Sequence, residues 1–167
     1  ALPIYEFDAI WDVQVLVARN KDTLVSRETL NPFLQRLLNS SAYDAACDPA
    51  GQLHQRYLIG DKVICLKNQS GIAVEARENK TDVTSWSPTG DSVRLANGDV
   101  GRVLAVDRKH VIVAFMAPER IVKLDIEKNK FDLDLAYACT VHKYQGSEVP
   151  VVILPLDEKA GMVSSRN

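Results

Sequence analysis

The sequence has little cysteine, no excess of basic residues and no long apolar run, and each absence excludes a class of protein. Its three cysteines are too few and too scattered for a disulfide framework or a zinc ribbon, so we expect free thiols and a reducing, cytoplasmic compartment. The formal net charge of −2 argues against a protein that holds nucleic acid mainly by bulk positive charge. No apolar run reaches the roughly 20 residues that a membrane span requires, so we expect no membrane partner.

With 167 residues, 46% of them hydrophobic, the chain can form one globular domain or one domain that carries a small insert. Residues 13–18, VQVLVA, are apolar on nearly both faces and suit a parallel sheet. Residues 58–130 change to short β-branched segments separated by Gly, Asn and Asp, which is typical of a small antiparallel barrel or sandwich. We therefore expect a discontinuous α/β domain, residues 1–57 and 131–167, interrupted by an all-β insert at residues 58–130.

An amphipathic helix is predicted after the first strand, because apolar residues recur there at i, i+3, i+4, i+7 and i+8. These residues are Leu30, Phe33, Leu34, Leu37 and Leu38. Ser26 is a candidate N-cap. Because proline disturbs a straight helix, either the helix kinks at Pro32 or Asn31 caps a shorter helix that begins there. We expect this helix to complete the core and to carry no chemistry.

Turn and loop signals divide the all-β region. Residues 69–91 are long, polar and poor in strand pattern, so we expect a mobile excursion there. Its Trp86 either packs against its own barrel, which we favour, or stacks on a base or fills a pocket of a partner. Asn97 and Gly98 predict a tight turn, and residues 108–110 predict the turn of a hairpin.

Residues 136–148, AYACTVHKYQGSE, concentrate more chemistry than any other stretch of the chain. A helix over residues 136–145 would align Tyr137, Val141 and Tyr144 as an apolar stripe, and Gly146 would end it. The apolar run VPVVILPL that follows predicts a strand buried on both faces of a parallel sheet. Such edges of open α/β sheets are places where backbone groups and short side chains reach a phosphate or a nucleotide.

The pattern T-x-H-K-x-Q-G-S-E at residues 140–148 resembles motif V of superfamily 1 helicases of the RecD-like, 5′-to-3′ class. GDKVICLKN at 60–68 and NGDVGRV at 97–103 are similar to strands of the small barrel that this family inserts in its second RecA-like domain. VQVLVARN at 13–20 is similar to the segment that opens that domain. The resemblance implies a RecA-like parallel-sheet domain of the P-loop NTPase type, discontinuous, with an inserted SH3-like barrel.

The same resemblance implies roles for individual residues. The implied DNA contacts are Thr140, His142, Lys143 and Gln145, and the implied nucleotide contacts are Gly146, Ser147, Glu148 and Arg19. The threonine and histidine would donate to phosphate oxygens of a single strand, the lysine would add a point charge, and the glutamate would accept from a ribose hydroxyl. The implied cofactors are ATP and Mg²⁺ in the full-length protein, with none expected on this chain and no metal site in it. The implied partners are single-stranded DNA, the first RecA-like domain of the same protein, and a protein that docks on the barrel.

The other half of such a motor is missing from the sequence. G-x-x-x-x-G-K-[ST] occurs nowhere, so no glycine-rich loop cradles phosphates and no lysine and hydroxyl accompany it. Asp157 and Glu158 follow an apolar run, and without that loop we interpret them as surface acids. The family's motif VI, with its arginine finger, would follow Asn167. We expect the full-length protein to be an ATP-dependent DNA helicase similar to the alpha subunit of exonuclease V, and this chain alone to be inactive.

Two other functions remain open at this point. A similar motif V occurs in the helicase half of conjugative relaxases, and a histidine-rich nickase domain in the flanking sequence would identify that class. A non-catalytic module that binds single-stranded nucleic acid or a protein through the barrel is the alternative from outside the motors. Arg19 has an alternative interpretation as a solvated loop residue, and His142 as a histidine satisfied at a helix end.

Overall fold

The computed structural model describes residues 7–77, 80–127, 132–145 and 148–156, and it divides the chain into two compact units. The parallel unit comprises Ala1–Leu38 with Tyr137–Asn167, and the antiparallel unit comprises Asn39–Ala136. Residues 39–57 and 132–136, which the sequence analysis assigned to the discontinuous α/β domain, therefore group with the antiparallel unit. Within the described ranges, no helix is long and apolar enough to cross a membrane.

The described part of the chain has two α-helices and ten strands. The helices are α1 (Arg27–Leu38) and α2 (Ser40–Ala46), with 3-10 turns at Val83–Ser85 and Val141–Lys143. The strands are β1 (Val13–Val17), β2 (Lys62–Cys65), β3 (Gln69–Ala76), β4 (Trp86–Leu95), β5 (Val100–Val106), β6 (His110–Met116), β7 (Glu119–Asp125), β8 (Leu133–Leu135), β9 (Ala138–Thr140) and β10 (Val151–Ile153). The chain is thus a mixed α/β protein in which strands predominate.

The parallel unit is built on a three-stranded parallel sheet in the order β10-β1-β9. β1 lies in the middle, where Val15 and Val17 are buried together with Ala138 of β9. Its β-branched residues suit a strand with neighbours on both sides. The prediction of a parallel strand at residues 13–18 is confirmed.

The predicted helix over residues 136–145 is wrong. Ala138–Thr140 forms β9, which pairs in parallel with β1, and a single 3-10 turn follows at Val141–Lys143. The helical stripe fails because Tyr137 is buried whereas Val141 is 45% exposed. Pairing with a distant strand outweighs a local helical pattern, since the small Ala138 and Cys139 fit equally well in a buried strand.

The strand predicted after this stretch exists as β10, but its predicted burial on both faces is wrong. β10 pairs only with β1 among the described strands, and so it lies at an edge of the sheet. Its three residues are all exposed, Val152 by 52%.

Helix α1 follows β1 and packs Leu30 and Leu34 against the buried valines of that strand. Its start is capped as predicted, because the Ser26 hydroxyl accepts from the Thr29 backbone N–H at 3.4 Å. Pro32 lies inside the helix, so the alternative of a shorter helix that begins at Pro32 is wrong.

The predicted apolar face of α1 is only partly correct. The side chain of Phe33 is 61% exposed and that of Leu37 is 60% exposed. The buried positions of the helix are instead polar, Asn31 and Gln35. The helix therefore meets its sheet through the amide of Asn31 as well as through leucines.

The antiparallel unit is a seven-stranded sheet in the order β4-β3-β7-β6-β5-β2-β8. No hydrogen-bonded pairing of β4 with β8 closes this sheet within the described residues. The predicted turn at residues 97 and 98 is confirmed, since the Asp99 N–H donates to the Ala96 carbonyl at 3.1 Å. The predicted hairpin turn at 108–110 is also confirmed, between β5 and β6.

The mobile excursion predicted at residues 69–91 is wrong, because β3 and most of β4 occupy that range and pair with each other. Trp86 is 4% exposed and packs with Val74, Val83 and Ile112 in the core of the unit. Its indole N–H donates to the Lys80 carbonyl at 3.1 Å, so the polar end of the ring is satisfied too. The prediction that this tryptophan packs on its own sheet is confirmed.

Gly101 of β5, like Gly71 of β3, marks a close approach of neighbouring strands. A Cβ added there would lie 2.5 Å from a Val113 methyl carbon and 2.7 Å from the Ala114 carbonyl oxygen, both on β6. Contacts this short require the strands to separate. The absence of a side chain at this position is therefore a packing requirement.

We predict that Gly101→Ala lowers the free energy of unfolding by roughly 2 to 3 kcal/mol, measured by urea denaturation, because the added methyl group overpacks the sheet. The matched control is Gly90→Ala in β4, where nothing lies within 4 Å of the added Cβ and only the backbone φ of 99° is unfavourable. The control should lose about 1 kcal/mol. Equal losses at the two positions would contradict a steric requirement at Gly101.

Candidate functional site

The carboxyl ends of β1 and β9 lie side by side, because Val17 is the register partner of Thr140. Arg19 follows β1, and His142 and Lys143 follow β9, so the sheet brings both segments to one edge. We call residues 18–20 and 140–145 the carboxyl edge. In open α/β sheets the crevice outside the carboxyl ends of the strands is where ligands bind.

A single 3-10 turn shapes the segment after β9. The Tyr144 N–H donates to the carbonyls of Thr140 and Val141, each at 3.2 Å, and this closes the turn. Thr140 is half-buried and makes no side-chain cap bond to the turn. His142 and Gln145 are exposed, and Lys143 is half-buried. The turn therefore presents a hydroxyl, an imidazole, an ammonium and an amide over a few residues.

The segment after β1 is tied to the start of α1. The Arg19 carbonyl accepts from the Arg27 N–H at 3.1 Å, and the Asn20 carbonyl accepts from the Glu28 N–H at 2.9 Å. The Asn20 side chain also accepts from Arg27 Nε at 3.0 Å. With the Ser26 cap, these bonds occupy N–H groups that a helix start would otherwise offer to an anion. Any anion at this edge must therefore meet side chains rather than the end of α1.

Asn31 of α1 fixes the outer side of β9. Its side-chain amide donates to the Ala138 carbonyl at 3.1 Å and accepts from the Ala138 N–H at 2.7 Å. In a parallel strand the N–H and C=O of one residue point to the same side, and those of Ala138 point away from β1. On the side of β9 away from β1, the asparagine thus bonds the backbone as a neighbouring strand would.

Sequence reasoning missed Asn31 because it considered that residue only as a possible cap. A signal was present, since Asn31 and Gln35 are four residues apart and occupy one face of the helix between its leucines. Amide side chains at both positions of an otherwise apolar helix face indicate that the helix packs against backbone N–H and C=O groups that need hydrogen-bond partners.

The structure describes some of the expected site residues and not others. Arg19, Thr140, His142, Lys143 and Gln145 all lie at the carboxyl edge. Glu148 is exposed and precedes β10, whose first residue has the first residue of β1 as its register partner, so the chain enters β10 at the amino end of β1 and Glu148 is not part of the carboxyl edge.

Gly146, Ser147, Asp157 and Glu158 lie outside the described residues. The roles expected for all these side chains stay predictions.

Among the described residues, burial raises the pKa of a cysteine thiol and of the tyrosine hydroxyl next to the turn. All three cysteines are free thiols, and burial raises the pKa of Cys65 to about 11, so it stays protonated at neutral pH. Burial also raises the pKa of Tyr144, next to the turn. Across the described ranges, no group of three or more His, Cys, Asp or Glu side chains is placed to hold a metal ion.

A scan against models of known protein families finds no match for this chain. Functional inference therefore depends on the motif at residues 140–148 and on the geometry of the carboxyl edge.

We predict that Asn31→Leu lowers the free energy of unfolding of the parallel unit by roughly 3 kcal/mol, because two buried backbone groups of Ala138 lose their partner. The Ala138 amide should also exchange its hydrogen faster, as NMR can measure. The matched control is Leu37→Asn, the reverse exchange at an exposed position of the same helix, which should cost about 0.5 kcal/mol. An unchanged exchange rate at Ala138 in Asn31→Leu would contradict the role of the side chain.

Proposed function

We propose that this chain is the second RecA-like domain, with its inserted SH3-like barrel, of a cytoplasmic ATP-dependent DNA helicase of the RecD-like class. In that function it couples nucleotide hydrolysis in the full-length protein to translocation on single-stranded DNA. The observation that carries the proposal is the register of β1 with β9, which brings Arg19 and the turn at Val141–Lys143 to one edge of a parallel sheet.

The polar groups of the turn suit the backbone of a single strand. A threonine hydroxyl, a histidine ring and a lysine ammonium can each donate to phosphate oxygens, which positions a strand without selecting its sequence. His142 is exposed. Thr140 is the N-cap residue of the turn, and its side chain makes no capping hydrogen bond. A few such contacts do not require the basic excess that the sequence lacks.

Arg19 extends the proposed site toward the nucleotide. Its backbone carbonyl accepts from the Arg27 N–H, and a guanidinium presents donors that suit phosphate oxygens. Glu148 is the proposed acceptor for a ribose hydroxyl, with Gly146 and Ser147 beside it in the sequence.

The residues present fit part of an ATP site. Arg19 supplies a cation and Thr140 supplies a hydroxyl at an open sheet edge, where the helix start is already satisfied. ATP bound there would supply the phosphoanhydride bond whose hydrolysis drives the motor. The sequence offers no phosphate-cradling loop, so those contacts and the residues that hold Mg²⁺ belong to the first RecA-like domain in this proposal.

In this proposal, the coupling of ATP hydrolysis to DNA translocation depends on the parallel unit moving as one body. The segments that would meet nucleotide and DNA extend from adjacent strands, and Asn31 holds the outer one of these, β9. A rotation of the whole domain would therefore move both contacts together, which is the differential contact that stepping requires.

We predict that the chain alone shows no DNA-stimulated ATPase activity, because no loop in its sequence can cradle the phosphates. The assay is phosphate release with and without excess single-stranded DNA. Turnover above background that is lost in Arg19→Ala would contradict the proposal, because this chain would then hold a complete catalytic site.

We predict that His142→Ala and Lys143→Ala each weaken single-stranded DNA binding by the chain, roughly three- to tenfold at low salt, because each removes a phosphate contact. In the lysine variant the slope of log K against log salt should become shallower by about 0.7. Fluorescence anisotropy with a labelled oligonucleotide measures both quantities.

The control for these variants is Lys109→Ala, which removes an exposed lysine from the β5–β6 turn and should leave DNA binding unchanged. Glu148→Ala should also leave DNA binding unchanged and should weaken only nucleotide binding in the full-length protein. If the histidine and lysine variants lose thermal stability but bind DNA normally, the turn is structural and the proposed function is wrong.

A further inference from the structure

The antiparallel unit contains a cavity of about 440 Å³ that the proposed function does not use. It lies between the segment before β2 and the β5–β6 turn, and it is lined by Tyr57, Val106 and Ile126 together with His54, Arg56 and Arg108. A cavity of this size accommodates a small molecule. Every lining residue belongs to the antiparallel unit, whereas the carboxyl edge belongs to the parallel unit.

The apolar part of the lining is rigid. Tyr57 is buried, and its hydroxyl donates to the Leu133 carbonyl at 2.6 Å, so the phenol is held in place and its polar end is already satisfied. Burial raises the pKa of Tyr57 to about 12, which keeps the ring neutral. The half-buried Val106 and Ile126, bordered by the Tyr57 ring, form an apolar surface suited to an aromatic or aliphatic group.

Two of the basic side chains are held by carboxylates. Arg56 bonds to Asp134 at 2.5 Å, and its guanidinium lies 5.6 Å from the centre of the Tyr57 ring. His54 Nε2 lies 2.8 Å from an Asp48 carboxylate oxygen. Each is thereby positioned before any ligand arrives, and a pre-positioned donor loses less conformational entropy on binding.

Arg108 has no such carboxylate. It makes no hydrogen bond or ion pair with any residue that the structure describes. The neighbouring carboxylate of Asp107 accepts from the N–H groups of Lys109 and His110, each at 2.7 Å, and lies 3.5 Å from the His110 ring. The acid in the lining is thus engaged by its own turn, and among the described residues Arg108 has no counter-ion.

We propose that this cavity binds a small organic anion, an aromatic or aliphatic body that carries one carboxylate or phosphate group. The body contacts Tyr57, Val106 and Ile126, and the anionic group is held by Arg108 beside His54. A polyanion is a poorer fit, because acidic and basic residues nearly balance over residues 39–136 and offer no extended basic surface. This inference is independent of the proposed function, since neither site shares a residue with the other.

The test is an NMR titration of the 167-residue chain with phenyl phosphate and with benzoate, following backbone amides. At least one should shift the amides that line the cavity saturably, with a dissociation constant on the order of 1 mM. Inorganic phosphate lacks the body and benzamide lacks the charge, so each should bind roughly tenfold more weakly. The tighter of phenyl phosphate and benzoate identifies the anionic group as a phosphate ester or a carboxylate.

Variants separate this site from general attraction to positive charge. Arg108→Gln should weaken the binding of the better probe roughly tenfold, because the side chain supplies a charge-assisted bond. The matched control is Arg94→Gln, which replaces an exposed arginine on β4 that does not line the cavity. This variant should bind the better probe as tightly as the unaltered chain does. Both variants replace exposed side chains, so both should keep the melting temperature.

Three results would overturn the proposal. The first is the absence of a saturable shift with either probe, and the second is equal affinity in Arg108→Gln and Arg94→Gln. The third is equal affinity for inorganic phosphate and phenyl phosphate, because the apolar surface would then contribute nothing to binding.

Discussion

The paired hydrogen bonds between the Asn31 side chain and the backbone of Ala138 fix the outer side of β9 in the parallel unit. Among the described strands, β9 lies at an edge of its sheet and has three residues, and an isolated strand of that length has little stability of its own. One amide satisfies both backbone groups that β1 cannot reach. Without it, the strand end that carries residues 140–145 would have its outer side unpaired, and the carboxyl edge would lose its fixed shape.

The same constraint explains why the edge can present polar groups at all. The turn at Val141–Lys143 closes through the bonds of a single N–H, and the segment around Arg19 is bound to the first turn of α1. Neither segment has an apolar core of its own. Their positions derive from α1, which contacts β9 through Asn31 and is joined to the loop after β1 through Arg27. One helix therefore orients both halves of the proposed site.

Local patterns with one physical interpretation were predictable from the sequence. Alternating β-branched residues identified β1, a hydroxyl before a helix identified the Ser26 cap, and an Asn-Gly pair identified a turn. The structure of residues 136–145 was not predictable, because small and aromatic residues fit a helix and a buried strand equally well. The deciding contacts join residues 107 positions apart, and no local pattern contains them. The polar hairpin of β3 and β4 was missed for a related reason, since cross-strand pairing stabilises exposed polar residues that lack strand propensity.

Two adjacent strands of one sheet cannot move independently without breaking their hydrogen bonds. If Arg19 meets a nucleotide and His142 meets a DNA strand, the distance between the two ligands is fixed within this unit by the register of Val17 with Thr140. In the proposed function, hydrolysis would then not advance the DNA by a rearrangement inside the sheet. The movement would occur between this unit and the domain that is proposed to contribute the phosphate loop, and the sheet would transmit it as a rigid body. Under this proposal the sheet edge has to keep its shape rather than react, and the Asn31 side chain contributes to that by bonding both backbone groups of Ala138.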